Sequence, residues 1–91
     1  MYTPKQIKEN YVDKIQTEYA DVIKIIDNEM LTVATLENEF RIILPCAIEE
    51  KALEKILYVY KKYYGWADIT FENKLDRHKA LRTVITFKSN G

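Results

Sequence analysis

Large side chains recur at Ile7, Tyr11, Ile15, Tyr19, Val22, Ile26, Met30 and Val33, in steps of three and four residues. That spacing predicts an amphipathic helix. Its opposite face, Lys8, Glu9, Asp13, Lys14, Glu18, Asp21, Lys24 and Asp27, carries both signs of charge and suits water. The start is legible too: in "TPKQ", Thr3 can be the N-cap, Pro4 fits the first helical position, and Gln6 completes a capping box. Unbroken to residue 35, such a helix would be about 48 Å long. A compact chain of this size is about 30 Å across, so one end should overhang, bend or pack on another subunit. Asp27 and Asn28 are weak helix formers, which puts the expected bend at residues 27 to 29. A competing pattern reads "VIKII", "LTVAT" and "EFRII" as three strands. The helix is preferred because its stripe continues through Met30 and no glycine marks either turn.

Beyond residue 35 the periodicity changes. "EFRIILP" alternates Phe40, Ile42 and Leu44 against Arg41 and Ile43, a strand closed by Pro45. "AIEEKALEKILYVYKKYYG" returns to helical spacing, with Ile48, Ala52, Leu53, Ile56, Leu57, Tyr60, Tyr63 and Tyr64 as the core stripe. Glu49 and Glu50 sit in its first turn, Lys61 and Lys62 in its last, and Gly65 is the left-handed stop. Two further strands alternate: Ala67, Ile69 and Phe71 against Trp66, Asp68, Thr70 and Glu72, then Thr83, Ile85 and Phe87 against Arg82, Val84 and Thr86. The link "NKLDRHKAL" looks too long for a tight hairpin and calls for a loop or helical turn.

The order is therefore α-β-α-β-β, an α+β fold with a three-stranded sheet packed against helices. One domain is expected over residues 1–91, residues 1–35 overhanging a β-α-β-β core formed by residues 36–91. With its "R-I-I-L-P" strand ending, "K-Y-Y-G-W" helix stop and terminal "R-T-V-I-T-F" strand, this chain resembles small α-β-α-β-β proteins of tailed bacteriophages from about residue 20 to 88. The resemblance implies a non-enzymatic protein that counters host machinery or defence. It carries no functional residues over, and the Lys74–Arg82 link departs from it by its length.

Composition narrows the classes. Apolar residues are 47% and charged residues 31% of 91, an ordinary globular balance, and only two glycines and two prolines leave room for long regular elements. Fourteen basic and fourteen acidic side chains cancel, so nucleic acid or an anionic membrane would have to meet a local patch. One cysteine allows no internal disulfide, and no apolar run approaches the length of a membrane span. A cytoplasmic protein, in a bacterial host cell if the resemblance holds, is expected, with no membrane partner.

Chemistry is sparse. Catalysis would need the lone His78, Cys46 and Ser89 to converge, and no catalytic residue is assigned. Cys46 reads as a small buried thiol and His78 as a solvated loop residue. No zinc or calcium spacing occurs and no glycine-rich phosphate loop is available, so neither metal nor cofactor is expected. Two basic groupings remain: Lys74, Arg77, Lys79, Arg82 and Lys88, with Asp76 the one acid from residue 73 onward, and Lys51, Lys55 and Lys62 flanking Tyr58. The second reads equally as a solvated helix face with i,i+4 pairing to Glu50 and Glu54.

Tyr58 lies off the core stripe and Trp66 falls on the outer strand parity, so these two are surplus aromatics of the kind that mark interfaces. The sequence thus predicts a homo-oligomeric binding protein acting on a host protein or an anionic signalling nucleotide. Its candidate contacts are Arg77, Lys79, Arg82, Tyr58 and Trp66. The alternative is a nucleic-acid-binding regulator using residues 74–88.

Overall fold

Thr3 opens the first helix as its sequence predicts. Its Oγ1 accepts the Gln6 N–H at 3.2 Å, and Gln6 Oε1 accepts the Thr3 N–H at 2.8 Å, so two otherwise orphaned donors are satisfied. The structure is a computed structural model and describes residues 1–90. Its elements are α1 (Pro4–Glu18), α2 (Ala20–Val33), β1 (Glu39–Ile43), α3 (Glu50–Lys62), β2 (Asp68–Leu75) and β3 (Leu81–Lys88). The fold is α+β.

Residues 4–33 are helical apart from Tyr19, which settles the contest with three strands, but they are not one rod. Tyr19 (φ −116°, ψ 30°) ends α1 and begins α2: its N–H donates to the Ile15 carbonyl and its own carbonyl accepts from Ile23. The bend expected at residues 27 to 29 does not occur, since all three lie inside α2. Packing explains the shift. α1 lies against α3 while α2 lies against β1, so the two halves of the stripe face different partners and the axis turns between them.

The sheet has the order β1-β3-β2, antiparallel throughout. Phe40 pairs with Phe87 and Ile42 with Ile85 on one side, Ile69 with Phe87 and Phe71 with Ile85 on the other. Because side chains alternate across a strand, this register puts one apolar set on one face. α2 and α3 cover that face. Ile26, Ile42, Leu44, Leu53, Ile56, Ile85 and Phe87 form the fully buried centre.

One polar residue is buried with them. Thr83 Oγ1 donates to Asn73 Oδ1 at 2.6 Å and accepts the Ile48 N–H at 2.8 Å. It ties the chain entering α3 to β2 and β3. Ile48 is held there, ahead of the helix, because α3 begins only at Glu50. Cys46 is exposed rather than buried and stands four residues before that helix; the strand ladder stops at Ile43 and leaves it at the surface.

The molecule is elongated, 53 × 29 × 18 Å, with a radius of gyration of 14.1 Å where a compact chain of this length has about 12 Å. Overhang therefore persists without a continuous rod. α1 buries only Val12 and Ile15, and the β2–β3 hairpin is exposed or half-buried from Lys74 to Arg82. Among the described residues no helix is long and apolar enough to cross a membrane.

Candidate functional site

The hairpin tip holds three of the candidate contacts. Leu75 pairs with Leu81, so only Asp76–Ala80 remain for the turn, and the link is a tight hairpin after all. Asp76 makes it so. Its N–H donates to the Ala80 carbonyl, its carbonyl accepts from Lys79, and its Oδ1 accepts the N–H groups of His78 (2.8 Å) and Ala80 (2.9 Å). Lys79 takes φ 62°, the left-handed conformation normally left to glycine. The Ala80 N–H first, then the His78 N–H and the Arg82 charge, hold the Asp76 carboxyl below the usual carboxylate range, partly offset by desolvation.

Arg82 Nε lies 2.9 Å from Asp76 Oδ2, an ion pair on the carboxylate's second oxygen. Lys74 Nζ lies 3.0 Å from Glu72. Two of the basic side chains are thereby paired locally, which leaves Arg77 and Lys79 as the cations of the tip in no ion pair among the described residues.

Trp66 lies at the other end of the sheet, before Asp68 opens β2. Eight strand residues at about 3.3 Å each put about 26 Å between it and the tip. The five candidate contacts therefore do not share one site.

Tyr58 is exposed on α3, as its place off the stripe predicts, but it has company. An apolar groove of about 480 Å³ runs between α1 and α3, lined by Ile7, Tyr11, Val12, Tyr58, Val59 and Tyr63 and edged by Lys8 and Lys62. Ile7, Tyr11, Tyr58 and Tyr63 are each 41–55% exposed. Tyr63 was expected in the core, as was Tyr64, which is half exposed; α3 ends at Lys62, so helical spacing no longer aims either of them inward. Ile7 and Tyr11 continue the helical stripe that the sequence assigns to the core, and the structure leaves both exposed. The Lys51 and Lys55 pairs expected along α3 are not formed among the described residues, and Lys61 instead approaches Asp68 at 3.9 Å.

Trp66 itself is turned inward, against its expected outer placement. It sits before the strand starts, so strand alternation does not govern it, and its ring lies 5.5 Å from Phe40 and 5.2 Å from Phe87. It also walls a cavity of about 300 Å³ with Gln16, Ile23, Tyr60, Tyr64 and Asp27. Tyr60 donates from its hydroxyl to Asp27 Oδ1 at 2.6 Å. Burial above all, then that hydrogen bond and the negative charge of Asp27, push the Tyr60 phenol well above its usual range, so it stays a donor. Gln16 donates to the Tyr64 hydroxyl across the same cavity. Gln16 carries no signal in the sequence, and Asp27, expected on the solvated face and at a bend, is instead drawn against Tyr60.

No protein-family model, curated protein or solved structure matches the chain. The likeness to small tailed-phage proteins therefore stands on its sequence punctuation alone.

Proposed function

We propose that this chain is a non-enzymatic binding protein that works as a small homo-oligomer, its copies meeting at the groove between α1 and α3. The observation that carries this reading is the unused half of the α1 stripe. Val12 and Ile15 are buried, while Ile7 and Tyr11 continue the same face into the open, beside Tyr58 and Tyr63 of α3. Apolar side chains clustered on an open groove favour association, at roughly 25 cal/mol per Å² covered. A two-fold pairing suits the surface, because the same patch would serve both copies. The groove edge carries Lys8 and Lys62, and Glu9 and Asp13 lie on the same helix as Lys8; each copy offers both charges to the other.

The setting belongs to the proposal as well: a phage-type protein in the cytoplasm of a bacterial host cell, sequestering a host component. A groove lined by tyrosine and aliphatic carbon favours a protein target over an anionic nucleotide. The nucleic-acid reading keeps the exposed Arg77 and Lys79 in its support. Two phosphate contacts would give a salt slope of only about −2, hence weak binding at physiological ionic strength.

Capture of an untagged copy by a tagged copy tests the reading. The intact protein should be retained, and Ile7→Asp with Tyr58→Asp should abolish retention, since both side chains are exposed and their replacement leaves the core intact. Equal retention of the double variant, or none of the intact chain, would refute it.

A further inference from the structure

The cavity beside Trp66 has a composition the oligomer does not require. Tyr60, Tyr64 and Trp66 bring three aromatic rings to a space of about 300 Å³, and Asp27 places a carboxylate on its wall. Tyr60 and Tyr64 stand 5.8 Å apart at 45°, a tilted pair and not a flat stack. One carboxylate oxygen, Oδ1, accepts the Tyr60 hydroxyl, which fixes the side chain's direction. Asp27 takes part in none of the ion pairs among the described residues, although Lys24 lies one turn away on the same helix. Gln16 holds the Tyr64 hydroxyl and thereby orients that ring. A carboxylate in no ion pair among the described residues, in a space lined by three aromatic side chains, is complementary to one kind of guest.

We propose that this cavity is a binding site for an alkylated ammonium group, held by Tyr60, Tyr64 and Trp66 through cation–π attraction and by Asp27 through charge. Ring quadrupoles attract a cation within about 6 Å of the ring centre, tryptophan best. An alkylated ammonium also matches the walls chemically: its methyl groups suit aromatic carbon, and a fully alkylated nitrogen has no N–H that would need a hydrogen-bond acceptor. A bare metal ion would find one carboxylate here and no second acid to share it. A simple anion would face Asp27 directly. The site adjoins the α1–α3 groove, sharing Val59 with it and touching it through Tyr63 and Tyr64. Ile7 and Tyr58 line only the groove and Asp27 and Trp66 only the cavity, so variants at these positions test the oligomer and the cation site separately.

Trp66 is the one tryptophan of the chain and forms part of the wall, so its fluorescence reports occupancy. The probe is choline, and the control is 3,3-dimethylbutanol, which has the same shape without the charge. Choline should change Trp66 emission saturably, with an affinity at least about tenfold above that of the neutral compound. Asp27→Asn keeps an oxygen for the Tyr60 hydroxyl and removes the charge, and should weaken choline about tenfold. Tyr64→Leu should weaken choline more than it weakens the neutral compound. The comparison of the two compounds on the unmodified protein does not depend on any variant folding. Equal affinities for the two, or no saturable response to choline into the tens of millimolar, would overturn the assignment. Unchanged choline affinity in Asp27→Asn would do the same.

Discussion

Two residues with positive φ make opposite cases of one steric effect. Gly65 sits at φ 82° after α3, and a Cβ built there would meet nothing within 4 Å. Gly65→Ala should therefore lose about 1 kcal/mol through the backbone alone. Lys79 adopts the same region with a Cβ already present. Lys79→Gly should gain about 0.5 kcal/mol, the relief of that strain less the added freedom of the unfolded chain. Urea unfolding midpoints moving in these opposite directions would bear this out. Gly65 was legible in the sequence because glycine announces the turn it permits. Lys79 was not, because an Asp76 side chain supplies the turn's hydrogen bonds and no glycine or asparagine marks it. Thr83 was equally silent: its parity places it inward, but only the structure shows its hydroxyl holding both Ile48 and Asn73. Thr83→Val preserves shape and leaves the Ile48 N–H unpaired, so thermal unfolding should report a loss of about 1–3 kcal/mol.

At the scale of elements, periodicity located the helical and strand stretches but read α1 and α2 as one helix, since a 3.6-residue or two-residue repeat is a local property of the chain. Their ends and partners are not local. The stripe runs through Tyr19 without a slip, yet the axis breaks there because α1 and α2 pack on different elements. The alternation of β2 was extended back to Trp66, although the strand begins at Asp68. The core stripe of α3 was extended forward to Tyr63 and Tyr64, although the helix ends at Lys62. These boundary shifts moved the aromatic assignments: Trp66 turned inward, the two tyrosines outward. They also explain why the candidate site was only half visible. Tyr58 could be found by its place off the stripe, whereas Ile7 and Tyr11 are indistinguishable in sequence from core residues. None of the residues from Lys5 to Tyr11 is buried, so the first half of α1 has no core anchor of its own. Amide exchange from Lys5 to Tyr11 should be fast in dilute protein and slow as concentration rises, while α3 changes little between Leu53 and Val59. Protection of α1 that is independent of concentration would mean that its own chain holds it.

The whole molecule combines a well-filled centre with two open extremities. The sheet face under α2 and α3 is covered; the first turns of α1 and the hairpin tip are exposed or half-buried, in a molecule 53 Å long. With zero net charge, long-range repulsion between copies is weak, and short-range apolar contact decides whether they associate. Sedimentation equilibrium across a wide concentration range tests this most directly. The account predicts a mass that rises from 10.8 kDa to a small multiple of it for the intact protein, and stays at the single-chain mass for Ile7→Asp combined with Tyr58→Asp. A single-chain mass for the intact protein at every concentration, or the same multiple in the double variant, would contradict it.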